Sequence, residues 1–369
     1  MAGLYIHIPF CHSKCAYCDF YSRRLGSASR GQYIGLLERE WILRRCELPG
    51  AGETVDTIYL GGGTPSILGV EDIAALGAWL PQPAADYEFT VEFNPEDVSP
   101  EVLNAWRSIG VNRVSMGVQS FSDDELRGVG RRHTAGQARE AYGLLRRHFD
   151  NVSIDLIIGL PGQTVESLKS HITTAIALRP EHLSVYILSY EKGTRLWAMR
   201  QVGKVAEADD ETIGMMYKTV CVMLREAGYE HYEISNFALP GYKACHNSAY
   251  WSGEPYLGLG PGAHSYDGRV RRYNPSDISS WTECMRENRC ACVVEEESET
   301  DSINNYIMTG LRTALGIDLQ VIPAVYAKQV RTNLSRLRQD RYMLCGDRLT
   351  LPEEAWLTSD DTIARLLVD

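Results

Sequence analysis

Six short apolar runs, Leu4–Ile8, Thr57–Leu60, Glu88–Phe93, Arg113–Val118, Val152–Ile158 and His182–Leu188, recur along the first half of the chain. Between them lie stretches whose apolar residues return every three and four positions, among them Gln32–Arg45, Pro100–Ile109, Ala135–Phe149 and Val165–Ala177. Short runs alternating with helical periods predict a parallel sheet with right-handed helical crossovers, either open or rolled into part of a barrel. Ligands in such sheets sit at the carboxyl ends of the strands. The unusual residues fall there: a cysteine loop follows the first run, Gly61-Gly-Gly-Thr-Pro65 the second, Glu92-Phe-Asn-Pro95 ends the third, and Gln119 the fourth.

The loop is Cys11-His-Ser-Lys-Cys15-Ala-Tyr-Cys18, three of the ten cysteines in 369 residues. No run of about 18 apolar residues exists and the first residues lack the basic start of a signal peptide, so a cytoplasmic location is expected. Reducing compartments rarely support structural disulfides, and clustered cysteines there bind metal or do chemistry. Thiolates three and four apart in a tight loop converge on one centre, and soft sulfur selects zinc or an iron–sulfur cluster. Structural zinc wants four protein ligands; a four-iron cluster held by three cysteines leaves one iron open. Zinc completed by His12 or a remote cysteine, and free thiols, are the alternatives. The net charge of −11, from 37 basic and 48 acidic residues, argues against a nucleic-acid or membrane-surface binder.

At these residues the chain resembles the radical S-adenosylmethionine (SAM) superfamily. Tyr5-Ile-His-Ile-Pro-Phe-Cys11, the Gly61–Pro65 and Glu92–Pro95 segments, Gly117-Val-Gln-Ser-Phe121, Gly130-Arg-Arg-His133 and Asp155-Leu-Ile-Ile-Gly-Leu-Pro-Gly162 occur in the order of its coproporphyrinogen dehydrogenase-like branch. Within that branch the chain is similar to HemW-type heme chaperones. The resemblance implies a partial (β/α)6 barrel in which Cys11, Cys15 and Cys18 hold a 4Fe-4S cluster whose open iron binds SAM. It places Tyr5, Gly63, Thr64, Pro65, Glu92, Gln119, Arg131 and Asp155 around that ligand. Read from the residues alone, Glu92 and Arg131 are equally a surface ion pair, and Tyr5 a core tyrosine. Asp155, inside the apolar Val152–Ile158 run, needs a partner to offset its desolvation. The decarboxylating HemN-type enzymes resemble Cys-x3-Cys-x2-Cys-x-Cys, and here the last position is Phe20; the ten residues before Cys11 also leave out the amino-terminal extension of those enzymes. Both departures favour a carrier over an oxygen-independent coproporphyrinogen III oxidase of porphyrin biosynthesis.

Three regions are expected: a cluster-and-SAM core over 1–228, an extension over 229–297 and a terminal module over 298–369. The extension, rich in Gly, Tyr, Asn and His, carries Cys245-His246-Asn-Ser-Ala-Tyr250-Trp251, similar to the His-Asn-x-x-Tyr-Trp motif of HemW-type proteins. His246 is the expected heme ligand, with His264 and Cys245 as lesser candidates; the alternative is a histidine that ties down a loop. Cys290 and Cys292 lack a second pair at zinc spacing and read as small buried or neutral residues. In the terminal module Ser302–Leu315, Leu319–Val330 and Arg331–Arg338 look helical, and Tyr342–Leu344 and Arg348–Leu351 look like a hairpin, a small α+β winged-helix-like domain. Its eight basic and ten acidic residues lack the positive field that DNA binding requires. By resemblance the partners are heme and heme-accepting proteins such as respiratory enzymes at the membrane; the sequence leaves a homodimer open.

Overall fold

The computed structural model describes residues 2–24 and 30–369. Six parallel strands lie side by side in chain order: β1 (Gly3–Ile8), β2 (Thr54–Gly62), β3 (Gln82–Phe93), β4 (Arg113–Gln119), β5 (Asn151–Ile158) and β6 (His182–Ile187). Helices α1 (Arg30–Arg44), α2 (Val70–Gly77), α3 (Pro100–Ser108), α4 (Ala135–Leu145) and α5 (Val165–Leu178) make the crossovers, and α6 (Asp210–Glu226) follows β6. Their starts are written locally. Ser99 accepts the Val102 N–H ahead of Pro100 at the first helical position, and Thr134 with Gln137 and Thr164 with Ser167 form reciprocal caps. The helix expected to reach Phe149 closes at Leu145, because Arg147, His148 and Phe149 donate back to Leu144 and Leu145 in a tightening turn.

The strands have two unlike faces. Leu4, Ile6 and Ile8, Phe89, Val91 and Phe93, Val114, Met116 and Val118, and Ile154, Leu156 and Ile158 are buried in one apolar core. The alternating positions are polar: Glu88, Thr90 and Glu92 on β3, Arg113 and Ser115 on β4, Ser153 and Asp155 on β5, His182 and Ser184 on β6. Arg113 is fully buried on that face, 3.9 Å from Glu88 and within hydrogen-bond reach of Thr90 Oγ1 at 3.4 Å.

The 229–297 segment is a sheet extension, and it serves both edges. On one side β7 (Glu230–Glu233) and β8 (Asn236–Ala238) add antiparallel beyond β6. The chain then crosses in α7 (Cys245–Ser252) to the other edge, where β9 (Tyr256–Leu259) pairs parallel with β1, and β10 (His264–Tyr266), β11 (Arg271–Tyr273) and β12 (Val293–Glu295) continue the 12-stranded sheet.

The terminal module has its own core, including Ile307, Leu311, Ile317, Val330, Leu349 and Leu366. Helix α8 (Glu299–Gly310) is followed by a two-residue strand, Ile317–Asp318, that pairs with the second arm of a Met343–Cys345/Arg348–Thr350 hairpin. The two helices expected over 319–338 are one, α9 (Ala324–Leu334), since Pro323 sets its start and Ile317–Asp318 is drawn into the small sheet. Backbone hydrogen bonds from Ile234 N to Arg312 O and from Ala314 N to Tyr232 O, both 3.0 Å, fasten the module to β7. Among the described residues no helix is long and apolar enough to cross a membrane.

Candidate functional site

The cysteine loop is pinned from outside. Ala16 N donates to Val129 O at 2.8 Å and Ala16 O accepts from Leu196 N at 2.7 Å, leaving Cys11, Cys15 and Cys18 half-exposed on a cavity of about 440 Å³. Thr64 Oγ1 donates to Cys11 Sγ at 3.4 Å and Arg131 Nη1 to Cys15 Sγ at 3.6 Å. Three soft sulfur donors, with no fourth cysteine among the described residues in the wall of this cavity, suit an iron–sulfur cluster with one open iron better than a structural zinc ion. His12 is turned aside from this cavity, its Nε2 3.2 Å from Asp97 Oδ1. Burial pushes the Cys18 thiol up to about 11 and raises that of Cys11, which the Thr64 hydroxyl counters.

Gly63, Thr64, Glu92, Gln119, Arg131 and Asp155 share the cavity with the cysteines. Arg131 is aimed by Asn94 Oδ1 at 2.7 Å and the Gly117 carbonyl, and its Nε has no protein partner. It does not pair with Glu92, so the surface ion-pair alternative fails: Glu92 accepts from Tyr59 Oη at 2.8 Å instead. Burial raises the Glu92 carboxyl to about 7 against that hydrogen bond. Asp155 has its partners in hydroxyls, Ser115 Oγ donating at 3.0 and 3.1 Å, and burial likewise holds its carboxyl above the ordinary range. Gln119 sits at a strand irregularity with φ of 69°, a left-handed conformation rare outside glycine and typical of strained functional positions.

Gly63 is required by the backbone. A Cβ there would lie 2.7 Å from Ile8 O and 2.8 Å from Phe10 O, on the strand that delivers Cys11, and Gly63 N donates to the same Ile8 carbonyl. Gly63→Ala is therefore expected to displace the Pro9–Cys11 segment, costing about 1–3 kcal/mol; thermal unfolding and iron loading of the variant check it. Two of the expected residues stand apart. Pro65 is buried at the start of a 3-10 turn, Pro65–Ile67, and does not line the cavity; Tyr5 faces a second one.

That second cavity, about 750 Å³, is walled by Tyr5, His7, Tyr21, Tyr186, Tyr250, Trp251, Tyr256, His264 and Tyr266, with Glu233, Asn236, Asn247, Arg271 and Thr309 among its polar groups. Residues from β7–β8 and from β9–β11, opposite ends of the sheet, meet there, so the sheet curls around it. Phe20 and Tyr186 belong to both cavities. Glu233 is 1 % exposed and its Oε1 has no partner; burial raises its carboxyl to about 7. The native protein thus keeps a proton that the unfolded chain loses above about 4.5, and this contribution, up to about 3 kcal/mol, is lost as pH rises from 4.5 through 7. Glu233→Gln is expected to flatten that decline, read from denaturant midpoints between pH 5 and pH 8 as approximate bounds.

His246, the expected heme ligand, is set back from the wall of this cavity. It is 1 % exposed, stacks on Tyr59 at 5.1 Å, and both ring nitrogens are engaged, Nδ1 with Thr57 Oγ1 and Nε2 with Tyr250 Oη, each at 2.8 Å. Burial, with Arg113 nearby, lowers its pKa to about 3, so the ring is neutral. Glu88 accepts the Cys245 and His246 N–H groups and fixes the start of α7. Its imidazole therefore positions Tyr250, which does line the cavity. The exposed ring on that wall is His264, stacked on Tyr273 at 5.6 Å. Sequence reasoning missed Asn94, Ser115, Tyr59, Tyr186 and Glu233; the polar alternation within β4 was the signal for Ser115, and the others carry none that is local.

The sequence model of the Radical SAM superfamily matches residues 5–175. The chain is 36% identical over 338 residues to the heme chaperone HemW of Bacillus subtilis, covering 89% of this chain and 88% of that one. It is 33% identical over 373 residues to the heme chaperone HemW of Mycobacterium tuberculosis, covering 99% and 94%. Among solved structures, coproporphyrinogen III oxidase (HemN) of Escherichia coli superposes with a TM-score of 0.85 at 24% identity, covering 100% of this chain and 90% of that one, a likeness of fold.

Proposed function

The chain belongs to the radical SAM superfamily and, within it, to the family of HemW heme chaperones, and on that premise we propose that it binds heme beside a 4Fe-4S cluster and SAM and hands the heme to acceptor proteins. The observation that carries the reading is the pair of adjoining cavities, one ringed by Cys11, Cys15 and Cys18 with six of the SAM residues, the other aromatic, both bordered by Phe20 and Tyr186. The superfamily implies the cluster and SAM, and three cysteines on one cavity supply the sulfur donors for it. Cys11, Cys15 and Cys18 would hold the cluster, which when bound would supply the electron that splits the sulfonium of SAM.

The residues would divide the work. Arg131, held by Asn94, offers its guanidinium to a carboxylate. Glu92 and Asp155 offer oxygens to an ammonium or to ribose hydroxyls, kept in place by Tyr59 and Ser115. Gln119 and the backbone at Gly63 and Thr64 close that side, while Pro65 stiffens the turn behind them. In the other cavity Tyr5, Tyr250 and Trp251 would pack on the macrocycle, His264 would offer its imidazole to the heme iron, and Arg271 lies at hand for a propionate. A volume of about 750 Å³ is within the usual 300–1,000 Å³ of small-molecule sites. The fourth cysteine of the Cys-x3-Cys-x2-Cys-x-Cys pattern is replaced by Phe20, which is 67% exposed at the common border.

The test is an anaerobic heme titration of the reconstituted protein with and without SAM, followed by transfer to an apo-hemoprotein. Saturable heme absorption and transfer are expected. Protoporphyrinogen formed from coproporphyrinogen with SAM and reductant would overturn the chaperone reading in favour of an oxidase.

A further inference from the structure

Cys290 and Cys292, expected to be small buried or neutral residues, are not buried. Their sulfurs are 2.7 Å apart just before β12, at the far edge of the sheet, with Cys290 exposed and Cys292 half-buried. Glu47 lies within 4.8 Å of both. Its carboxylate is already held by Arg44, whose Nε and Nη2 donate to its two oxygens at 2.8 and 3.0 Å, and the Arg272 guanidinium is 4.0 Å away. Arg44 also holds Glu40 at 3.0 Å and Arg272 holds Asp267 at 2.7 Å, so the charges around the pair are matched and the Glu47 carboxylate is committed to Arg44 rather than turned to a metal ion. The hydrogen bond from Cys292 holds the Cys290 thiol below the ordinary cysteine range, while the same contact raises that of Cys292.

We propose that Cys290 and Cys292 form a reversible dithiol–disulfide pair that exchanges with low-molecular-weight disulfides. The Cys290 thiolate attacks one sulfur of the external disulfide, forms a mixed disulfide and expels one thiolate. Cys292 passes its proton to that thiolate and attacks Cys290 Sγ, closing the intramolecular bond and expelling the second thiolate, which takes a proton from water. The pair loses two electrons and the external disulfide gains them as two thiols. A ring closed across the single residue Ala291 is readily reopened by excess thiol, because constrained disulfides have the higher potentials.

The experiment uses the full-length, cluster-loaded protein in anaerobic glutathione buffers of rising oxidised-to-reduced ratio, quenched in acid, alkylated with N-ethylmaleimide and cleaved with trypsin. Cleavage after Arg289 puts both cysteines in one peptide. The expected result is an internal disulfide in that peptide at a ratio about tenfold below the one that glutathionylates the exposed Cys345. Cys292→Ser should trap glutathione on Cys290. The proposal is overturned if both thiols stay alkylatable wherever Cys345 is modified, if glutathione accumulates on the wild-type pair without closure, or if Zn²⁺ shields both thiols and no disulfide forms.

Discussion

Cys15→Ala is expected to abolish the broad visible absorption of the anaerobically reconstituted protein and to bring its iron content to background. Three thiolates are the whole protein share of a cluster with one open iron, so losing one leaves two ligands where the residual binding energy no longer holds four irons. Cys15 also accepts from Arg131, at 3.6 Å, so the guanidinium loses a partner at the same time. The fold should survive. The loop is tied by backbone groups of Ala16 to Val129 and Leu196, and none of these bonds needs the sulfur. Unchanged far-ultraviolet circular dichroism with absent iron is therefore the expected pair of readings. A variant that keeps its iron would remove Cys15 from the ligand set, and stoichiometric zinc in the wild type would return the site to a single ion. Arg131→Lys should be milder: iron retained, SAM binding weakened, because the three donors of an ammonium cannot keep Asn94, the Gly117 carbonyl and Cys15 Sγ and also meet a carboxylate.

The parallel core and the cluster loop were legible because their signals are local: apolar runs at strand length, helical periods between them, and sulfur at fixed spacing. The polar face was harder to see. In Glu88-Phe-Thr-Val-Glu-Phe and Ser153-Ile-Asp-Leu every second residue is polar, yet the apolar residues between them dominate a reading by runs, and the strand bounds were clipped accordingly. Partners across the sheet, such as Ser115 with Asp155 or Tyr59 with Glu92, depend on register between strands distant in sequence, which no local pattern carries. The extension was read as one block because its composition is uniform; its division between opposite edges is set by which edge strand has free backbone groups to pair. The Cys290–Cys292 pair was passed over for a similar reason. Two sulfurs with one residue between them are silent until a distant segment brings Glu47, Arg44 and Arg272 beside them.

His246 sits one layer behind the cavity wall, on the helix that supplies part of that wall. His246 and Tyr250 are one turn apart on α7, as are Asn247 and Trp251, and each residue step rotates a side chain by about 100°. His246 turns its ring inward to Thr57 and Tyr59 on β2, while Asn247, Tyr250 and Trp251 reach the aromatic cavity. His246→Ala should then act on stability: it empties a buried ring's volume and leaves the Thr57 and Tyr250 hydroxyls unpaired, together about 2–5 kcal/mol. Heme absorption of the folded fraction should keep its form. His264→Ala should do the reverse, with unfolding within about 0.5 kcal/mol of wild type because the ring is exposed, and with the imidazole-type heme spectrum lost. Should His246→Ala fail to fold, Tyr250→Phe breaks the same hydrogen bond with the aromatic wall intact, and it too should preserve the spectrum. If instead the spectrum is lost in Tyr250→Phe and His246→Ala but persists in His264→Ala, the inner histidine swings out to take the iron, and the neutral ring held at Thr57 is its resting position.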